Sequence, residues 1–547
     1  MRRDGLAAWG VAAAVCVWQL AGWAGASPVT FEDMTRRAGI EFVLRNGAAG
    51  EWRQIETMVA GAVAADFDGD GRTDLFFVNG ASGPGLRKEL PADGNRLYRN
   101  RSDGTFEDVT AKARLVGEGF GIGGAAADFD NDGDQDLFVA GVGRNFLYQN
   151  RGDSTFEDVT RRAELGGGKS WAVSAGWFDY DADGHLDLFV VNYVDWKPGV
   201  DPPCRTGGVR TYCHPRHYAG LANQLFRNNG DGTFRDVSGE SEIGAAVGKG
   251  MGLAFLDFNG DGRLDVFVAN DTVPNFLFRN DGEGRFREVG MQAGVGLNED
   301  GRALSSMGAD ARDVNNDGRE DLWVTANANE TFPLFVNLGR GLFGDETYPS
   351  TIGRLTMAST GWSNGIFDLN NDGRKDLFGA CGSIDSNTEK FSHRRSKQAN
   401  RVFVNEGGGI FQHASVAGGE AMHRGAAFAD FDGDGLVDVA VTRIGERAAL
   451  LRNTSAGTGH WLGIRLRGRK ANRDGIGAMI RVKGASGREQ WNRVTTAVGY
   501  GSSSDRIAHF GLGADTKAAE VEIVWPGGRK QVLRDVAGDR MVDVEEQ

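Results

Sequence analysis

The sequence lacks the residues that would place it in several large protein classes. Four cysteines in 547 residues are too few for a disulfide-built scaffold. Eleven prolines leave little room for extended Pro-rich linkers, and eight histidines offer no evident catalytic constellation. A basic excess is missing as well: 61 Lys and Arg face 75 Asp and Glu, a formal charge of -14. Nucleic acid is therefore excluded as the main partner, because phosphate binding needs a cationic surface. Beyond the first twenty or so residues, no stretch is apolar enough to span a bilayer. What is abundant is glycine, with 83 residues, a composition that suits tight turns between short strands. The length is too great for one hydrophobic core, so several domains or a repeat architecture are expected.

The N-terminus reads as an export signal covering residues 1–26. Arg2 and Arg3 precede an apolar stretch from Leu6 to Leu20, and Ala24-Gly25-Ala26 forms a cleavage site before Ser27. The mature chain is thus expected outside the cytoplasm, secreted or periplasmic, where calcium is plentiful and disulfides persist.

One segment recurs seven times, beginning at Asp66, Asp128, Asp179, Asp257, Asp313, Asp368 and Asp430. The first copy reads DFDGDGRTDLFFVNG. Successive starts lie 51 to 78 residues apart, enough for one four-stranded blade of about 40–50 residues with its loops. Short apolar runs flank each copy, such as Gly61 to Ala65 before the first and Leu75 to Val78 after it. They are too short for helices and too apolar for exposed loops, so buried strands are predicted. A second signature follows six copies, an Asn six residues before a Phe: Asn100, Asn150, Asn228, Asn280, Asn337 and Asn405. It marks a Gly-rich turn and an outer strand. After the seventh copy Asn453 is present but the outer strand is missing, and its counterpart, Thr30 to Thr35, stands at the mature N-terminus. Ring closure by that strand explains both ends. The expected fold is all-β: a seven-bladed β-propeller over residues 27–458, then a small all-β domain over 459–547.

The repeated pattern, D-x-[DN]-x-D-G-x-x-D, places side-chain oxygens at positions 1, 3, 5 and 9. The predicted ligands are Asp66, Asp68, Asp70 and Asp74; Asp128, Asp130, Asp132 and Asp136; Asp179, Asp181, Asp183 and Asp187; and Asp257, Asn259, Asp261 and Asp265. The remaining loops offer Asp313, Asn315, Asp317 and Asp321; Asp368, Asn370, Asp372 and Asp376; and Asp430, Asp432, Asp434 and Asp438. Glycine at position 6 permits a sharp turn with positive φ. So many carboxylates held together repel one another without a cation, and clustered hard oxygens suit Ca²⁺ better than Mg²⁺. Up to seven Ca²⁺ are expected, whose charge would offset the formal -14. An EF-hand would need Glu at position 12 and flanking helices, and seven equivalent catalytic copies would be odd. A structural role for calcium follows.

The loops and their Leu-Phe-Val strands resemble FG-GAP/VCBS repeats, similar to the calcium-binding blades of integrin α-subunits. The tail resembles an ASPIC/UnbV domain through His460 to Leu466, Arg473 to Ala478, His509 to Gly513 and Val524 to Gly528. Together they resemble bacterial relatives of cartilage acidic protein 1. The resemblance implies an extracellular calcium-binding protein, and some members accompany natural-product pathways.

Outside the repeat, the longest interval holds an insertion with Trp196, Cys204, Tyr212, Cys213, His214, His217 and Tyr218. A Cys204–Cys213 disulfide is expected, worth about 2–3 kcal/mol through loop closure. His214 and His217 with a cysteine are also ingredients of a zinc site, although two imidazoles in a long loop seldom build one. The aromatic and basic content makes Trp196, Tyr212, His214, His217 and Tyr218 the candidate ligand loop; the insertion from Cys381 to Gln398 is the second candidate. Arg465, Arg467, Arg469, Lys470 and Arg473 form either a basic face for an anionic partner or, more plainly, a solvated face or a surface that docks on the acidic propeller. Arg151-Gly152-Asp153 aligns with the hairpin turn of every other repeat, and Gly361-Trp362-Ser363-Asn364-Gly365 falls on a strand rather than a strand-to-helix elbow. Neither is read as functional. The expected function is a monomeric binding, adhesion or scaffold module for an extracellular protein or glycan. The rival is a calcium-dependent enzyme, a polysaccharide lyase or natural-product cyclase, working in the propeller pore.

Overall fold

The computed structural model describes residues 29–165, 170–416 and 418–547. The expected signal segment, 1–26, lies outside the described residues. Eight four-stranded antiparallel sheets form among these, one of them in the C-terminal part and the other seven before it. The first strands of those seven are Ala62–Ala65, Phe120–Ala127, Ala172–Phe178, Gly250–Leu256, Ala309–Arg312, Gly361–Phe367 and His423–Ala429. Each first strand packs against the next, and the seventh packs against the first, so the sheets close a ring consistent with propeller blades. The seventh sheet takes its outer strand from the other end of the chain, with Phe31 opposite Asn453 and Asp33 opposite Leu451. This pairing removes the free edge that an open array would leave.

Burial explains the near-continuous apolar strands. Both faces of a sheet meet neighbouring sheets, so alternation gives way to runs such as Leu188 to Val191, all 0% exposed. Separate apolar clusters lie between successive sheets; one joins Phe178, Phe189 and Val191 to Phe255, Val266 and Phe278. There Phe178 and Phe255 stack with centroids 4.4 Å apart. Each such side chain contributes roughly 1.5–3 kcal/mol on burial.

Residues from 460 onward form a second β unit of two sheets. One pairs His460–Arg467 with Ala508–Gly513 and, in parallel, with Arg540–Glu545. The other orders Glu489–Arg493, Met479–Gly484, Lys517–Val524 and Lys530–Ala537. The unit sits on the face carrying the Asp loops, and its core is continuous with the ring, since Leu462, Phe510 and Trp525 share a cluster with Phe129 and Trp177.

The sequence did not suggest what fills the axis. The segment from Thr495 to Asp505, between the two tail sheets, runs into the ring and bonds to the inner strands. Ala64 N donates to Ser503 O at 2.9 Å, Gly124 N to Gly501 O at 3.1 Å and Gly499 N to Ala309 O at 2.9 Å. Ser363 Oγ accepts Tyr500 N at 3.1 Å, and Ser174 Oγ accepts Gly501 N at 2.9 Å. Glycine in the wall makes the approach possible: a Cβ on Gly123 would stand 2.7 Å from Gly501 Cα. Tyr500 is fully buried, its hydroxyl donating to Met58 O at 2.6 Å.

Candidate metal centres and the opposite face

Each Asp loop joins the first strand of a sheet to the second. In the first loop, Asp66 accepts Asp70 N at 3.1 Å and Gly71 N at 2.9 Å, while Asp74 accepts Phe67 N at 3.0 Å and Asn100 N at 2.7 Å. Positions 1 and 9 therefore shape the turn, and positions 3 and 5 project outward. The position-6 glycine has φ between 83° and 104° in all seven loops, as its identity predicts. Position 4 is also left-handed, at 58° to 76°, and is filled by Gly, Asn or, at 182, Ala.

Four loops bring three carboxylates together with oxygens within 4.8 Å of one another: Asp66, Asp68 and Asp70; Asp128, Asp130 and Asp136; Asp179, Asp181 and Asp187; Asp430, Asp432 and Asp438. These clusters can hold a metal ion such as Ca²⁺, and an all-oxygen, multiply anionic donor set is the chemistry that a hard cation takes. The other three loops carry Asn259, Asn315 and Asn370 at position 3, so an amide oxygen replaces one charge. Arginines meet the outward carboxylates. Arg72, Arg263, Arg319 and Arg374 pair with Asp70, Asp261, Asp317 and Asp372 of their own loops. Arg227 lies 3.0 Å from Asp181. Such half-exposed pairs are worth about 0–1 kcal/mol and yield readily to a divalent ion.

The position-9 carboxyls carry a burial cost. Burial raises Asp74, Asp265 and Asp321 to about 8, against the two backbone N–H groups that each accepts. Burial likewise lifts Asp128 to about 8, helped by Asp474 of the tail. A carboxyl raised in the folded chain keeps a proton that the unfolded chain has lost. Its contribution is full below about pH 4 and disappears as pH rises through about 8. Chelator-treated protein is therefore expected to lose melting temperature steadily from pH 5 to 8, whereas saturating calcium flattens or reverses that slope. Differential scanning fluorimetry across the two series reads this directly.

The signature asparagines do more than make a turn. Each donates its side-chain amide to the position-2 carbonyl of the preceding sheet's loop, as Asn150 does to Phe67 and Asn405 to Val314; Asn100 reaches back to Phe431 and closes the circle. All seven bonds span 2.7–3.0 Å. Every Asp loop is thus tied to the next sheet. Asn405→Ala leaves two buried carbonyls without their donor, Val314 O and Lys375 O. The expected cost is about 2–4 kcal/mol in a urea titration.

In two sheets the residue at position 8 faces the preceding loop, and its identity differs. Glu320 accepts Asp257 N at 2.9 Å and is clamped by Arg493 of the tail at 2.7 Å. Lys375 occupies the equivalent place in the next sheet. It is 3% exposed, its Nζ has no hydrogen-bond partner, and its largest favourable charge interaction is with Asp313. The fifth loop thus has the Lys375 amine beside Asp313, its first candidate ligand, besides Asn315 at position 3.

The tail reads the loop face through further contacts. Asp474 accepts Asp128 N and Gln135 Nε2 at 2.9 Å each, and His509 meets Asn371 at 2.7 Å. The basic run is mostly spent within the tail, with Arg465 on Asp543 and Arg469 on Glu545, while Arg473 N donates to Asn131 at 2.7 Å. The side chains are thus neutralised on a largely solvated face, while the backbone at Arg473 docks on the second loop.

On the opposite face, Cys204 and Cys213 are joined by a disulfide. The proposed contact loop divides in two. Trp196 and Tyr218 are 5% and 6% exposed, and both bond to Asp201, at 2.9 and 2.6 Å; they are core groups and do not face a ligand. Tyr212, His214 and His217 line a cavity of about 520 Å³ at the other mouth of the axis, together with Tyr193, Trp362 and Asp271. The histidines belong to no cluster of three metal-ligating groups among the described residues. Gly361–Phe367 is a strand, and Arg151 pairs with Glu157 beside its hairpin.

A ring of sheets with acidic loops and a docked β tail defines a class of repeat protein. The chain belongs to the FG-GAP-like repeat family, which matches residues 66–139, 128–190, 217–268, 257–324 and 313–379; the ASPIC and UnbV family matches 468–547. It is a distant homologue of cartilage acidic protein 1, being 25% identical to the human protein over 515 residues, 89% of this chain and 71% of that one. The mouse protein is 26% identical over 515 residues, 89% and 73% of the two chains. Among solved structures, an Agrocybe aegerita lectin recognising terminal N-acetylglucosamine has a TM-score of 0.41 at 17% identity, covering 78% of this chain and 97% of its own. A Bacillus licheniformis rhamnogalacturonan lyase has 0.31 at 12%, covering 89% and 91%. These scores are too low to bear on ligand or activity.

Proposed function

We propose that the protein is an exported, calcium-held seven-bladed β-propeller that acts as a binding or scaffold module for an extracellular protein or glycan. The observation that carries this is the division of the ring into two faces. One face is committed to structure: acidic loops that call for cations, the asparagine ties and the docked tail. The other carries the insertions and an open cavity. Export is supported by the N-terminal pattern and by the Cys204–Cys213 disulfide. A pore-based enzyme finds less support, because the tail segment 495–505 fills the axis from the loop side. The test is a screen of the mature chain, calcium-loaded and chelator-treated, against glycans and extracellular proteins, read as a monomer on light scattering. Retained binding after the loops have lost their calcium and the fold has loosened would sink the reading.

Calcium in all seven loops is the upper limit, and the fifth is expected to be weakest. Lys375→Met removes the competing amine, so elemental analysis after desalting is expected to show close to one additional calcium per chain. An unchanged count with an intact fold would mean that Lys375 does not oppose the site.

A further inference from the structure

We propose that the cavity on the insertion face is a binding site for a neutral, hydroxyl-rich small molecule of sugar size. This rests on the reading of the protein as a binding module and names the ligand class of that face. The volume, about 520 Å³, falls within the roughly 300–1,000 Å³ of small-ligand pockets.

The polar groups around the cavity are of both kinds. Toward the axis, Asp271 is 8% exposed and takes the Tyr193 hydroxyl at 2.6 Å. Asp385 accepts Tyr212 N at 2.9 Å. Gln54 is only 4% exposed, and its Oε1 has no hydrogen-bond partner although the residue lines the cavity. A buried acceptor of that kind is costly unless something donates to it. Toward solvent, Arg205, His214 and Arg216 line the exposed side of the same cavity and supply donors. A cationic ligand would meet those bases, and an anionic one would meet Asp271 and Asp385. A hydroxyl group both donates and accepts, so a polyol satisfies both sides without a net charge. Trp362 and the thioethers of Met58 and Met307 give the apolar wall against which the C–H face of a pyranose ring packs.

The walls are fixed in advance, which keeps the ordering cost of binding low. The disulfide braces one wall of the cavity, and Tyr212 is held by Glu56 at 3.0 Å and by Trp52 at 5.0 Å between ring centroids. Asn387 Nδ2 donates to Arg210 O at 2.9 Å, fastening the two insertions together.

The probes are free neutral hexoses and N-acetylhexosamines, tested one by one against the calcium-loaded mature chain by saturation-transfer NMR and calorimetry. At least one is expected to bind, and Gln54→Met and Asp385→Asn are each expected to weaken its Kd at least tenfold with melting temperature and calcium content unchanged. Asp271→Asn is the third variant, read only if its melting temperature holds. Binding that both the Gln54 and the Asp385 variants leave intact would overturn the assignment to this cavity. Signals from charged amines or carboxylic acids alone would overturn the ligand class. No binding by any neutral sugar, with calcium-dependent melting retained, would overturn the proposal while leaving the calcium-held binding module standing.

Discussion

Chelating calcium is expected to lower the melting temperature by on the order of 10–20 °C. A ligand held at a hundred times its Kd stabilises a fold by about 2.7 kcal/mol per site. Four all-carboxylate loops filled to that extent give about 11 kcal/mol, or one to two degrees per kcal/mol for a chain longer than the domains on which the conversion rests. The effect is large because calcium acts where the ring is jointed. Each loop shares its position-2 carbonyl with the next sheet's asparagine, and its position-9 carboxyl with its own, as Asn150 links Phe67 O and Asp136. Without the cation, Asp128 and Asp136 must stay protonated or repel each other inside the joint. Asp130→Ala is the sharper variant, since position 3 has the fewest duties in shaping the turn. It is expected to remove about a quarter of the calcium-induced shift and one ion from the elemental count. A melting curve indifferent to chelator at pH 7 would mean that the loops hold their shape without a cation.

The periodic parts of this architecture were legible because repetition multiplies weak local signals. One Asp-rich loop is an ambiguous motif, but seven with the same glycine and the same following strand fix a sheet as the unit. The split seventh sheet was readable for the same reason, since the strand missing after Asn453 stands at Phe31–Asp33. The asparagines were visible as a pattern but not as ties, because their partners lie one sheet away, 331 residues in the case of Asn100 and Phe431. Trp196 and Tyr218 misled for a related reason: an aromatic in a long insertion is equally suited to an exposed contact and to a private core, and their shared partner Asp201 decides for the core. Position 8 gave no signal, since Thr73, Gln135, Glu320 and Lys375 share no chemistry. Only the folded ring shows that Glu320 and Lys375 face the preceding loop while Thr73 and Gln135 meet Asp505 and Asp474 of the tail.

Removing the tail is expected to unmake the ring rather than shorten the protein. The run Gly499-Tyr500-Gly501-Ser502-Ser503-Ser504 is small and polar, a composition that suggests a surface turn, yet Tyr500 and Ser503 are 0% exposed. Its backbone serves inner strands from several sheets at once, so it works as an axle. A chain ending at residue 458 leaves Ala64 N and Gly124 N without the acceptors they have at Ser503 and Gly501, and it bares the apolar surface that covers Phe129 and Trp177. That chain is expected to be aggregated or loosely packed, with far-UV dichroism retained and near-UV dichroism lost. Co-expression with residues 459–547 should restore it. Tyr500→Ala isolates the axle within the full chain, deleting a buried ring 5.3 Å from Trp362 and the donor to Met58 O. Its cost is expected to be about 3–5 kcal/mol, as for other buried aromatics truncated to alanine. Because the residue touches no Asp loop, the calcium count should stay unchanged. If the isolated 27–458 chain proves monomeric and melts as sharply as the whole protein, the ring closes without an axle and the tail is an independent passenger.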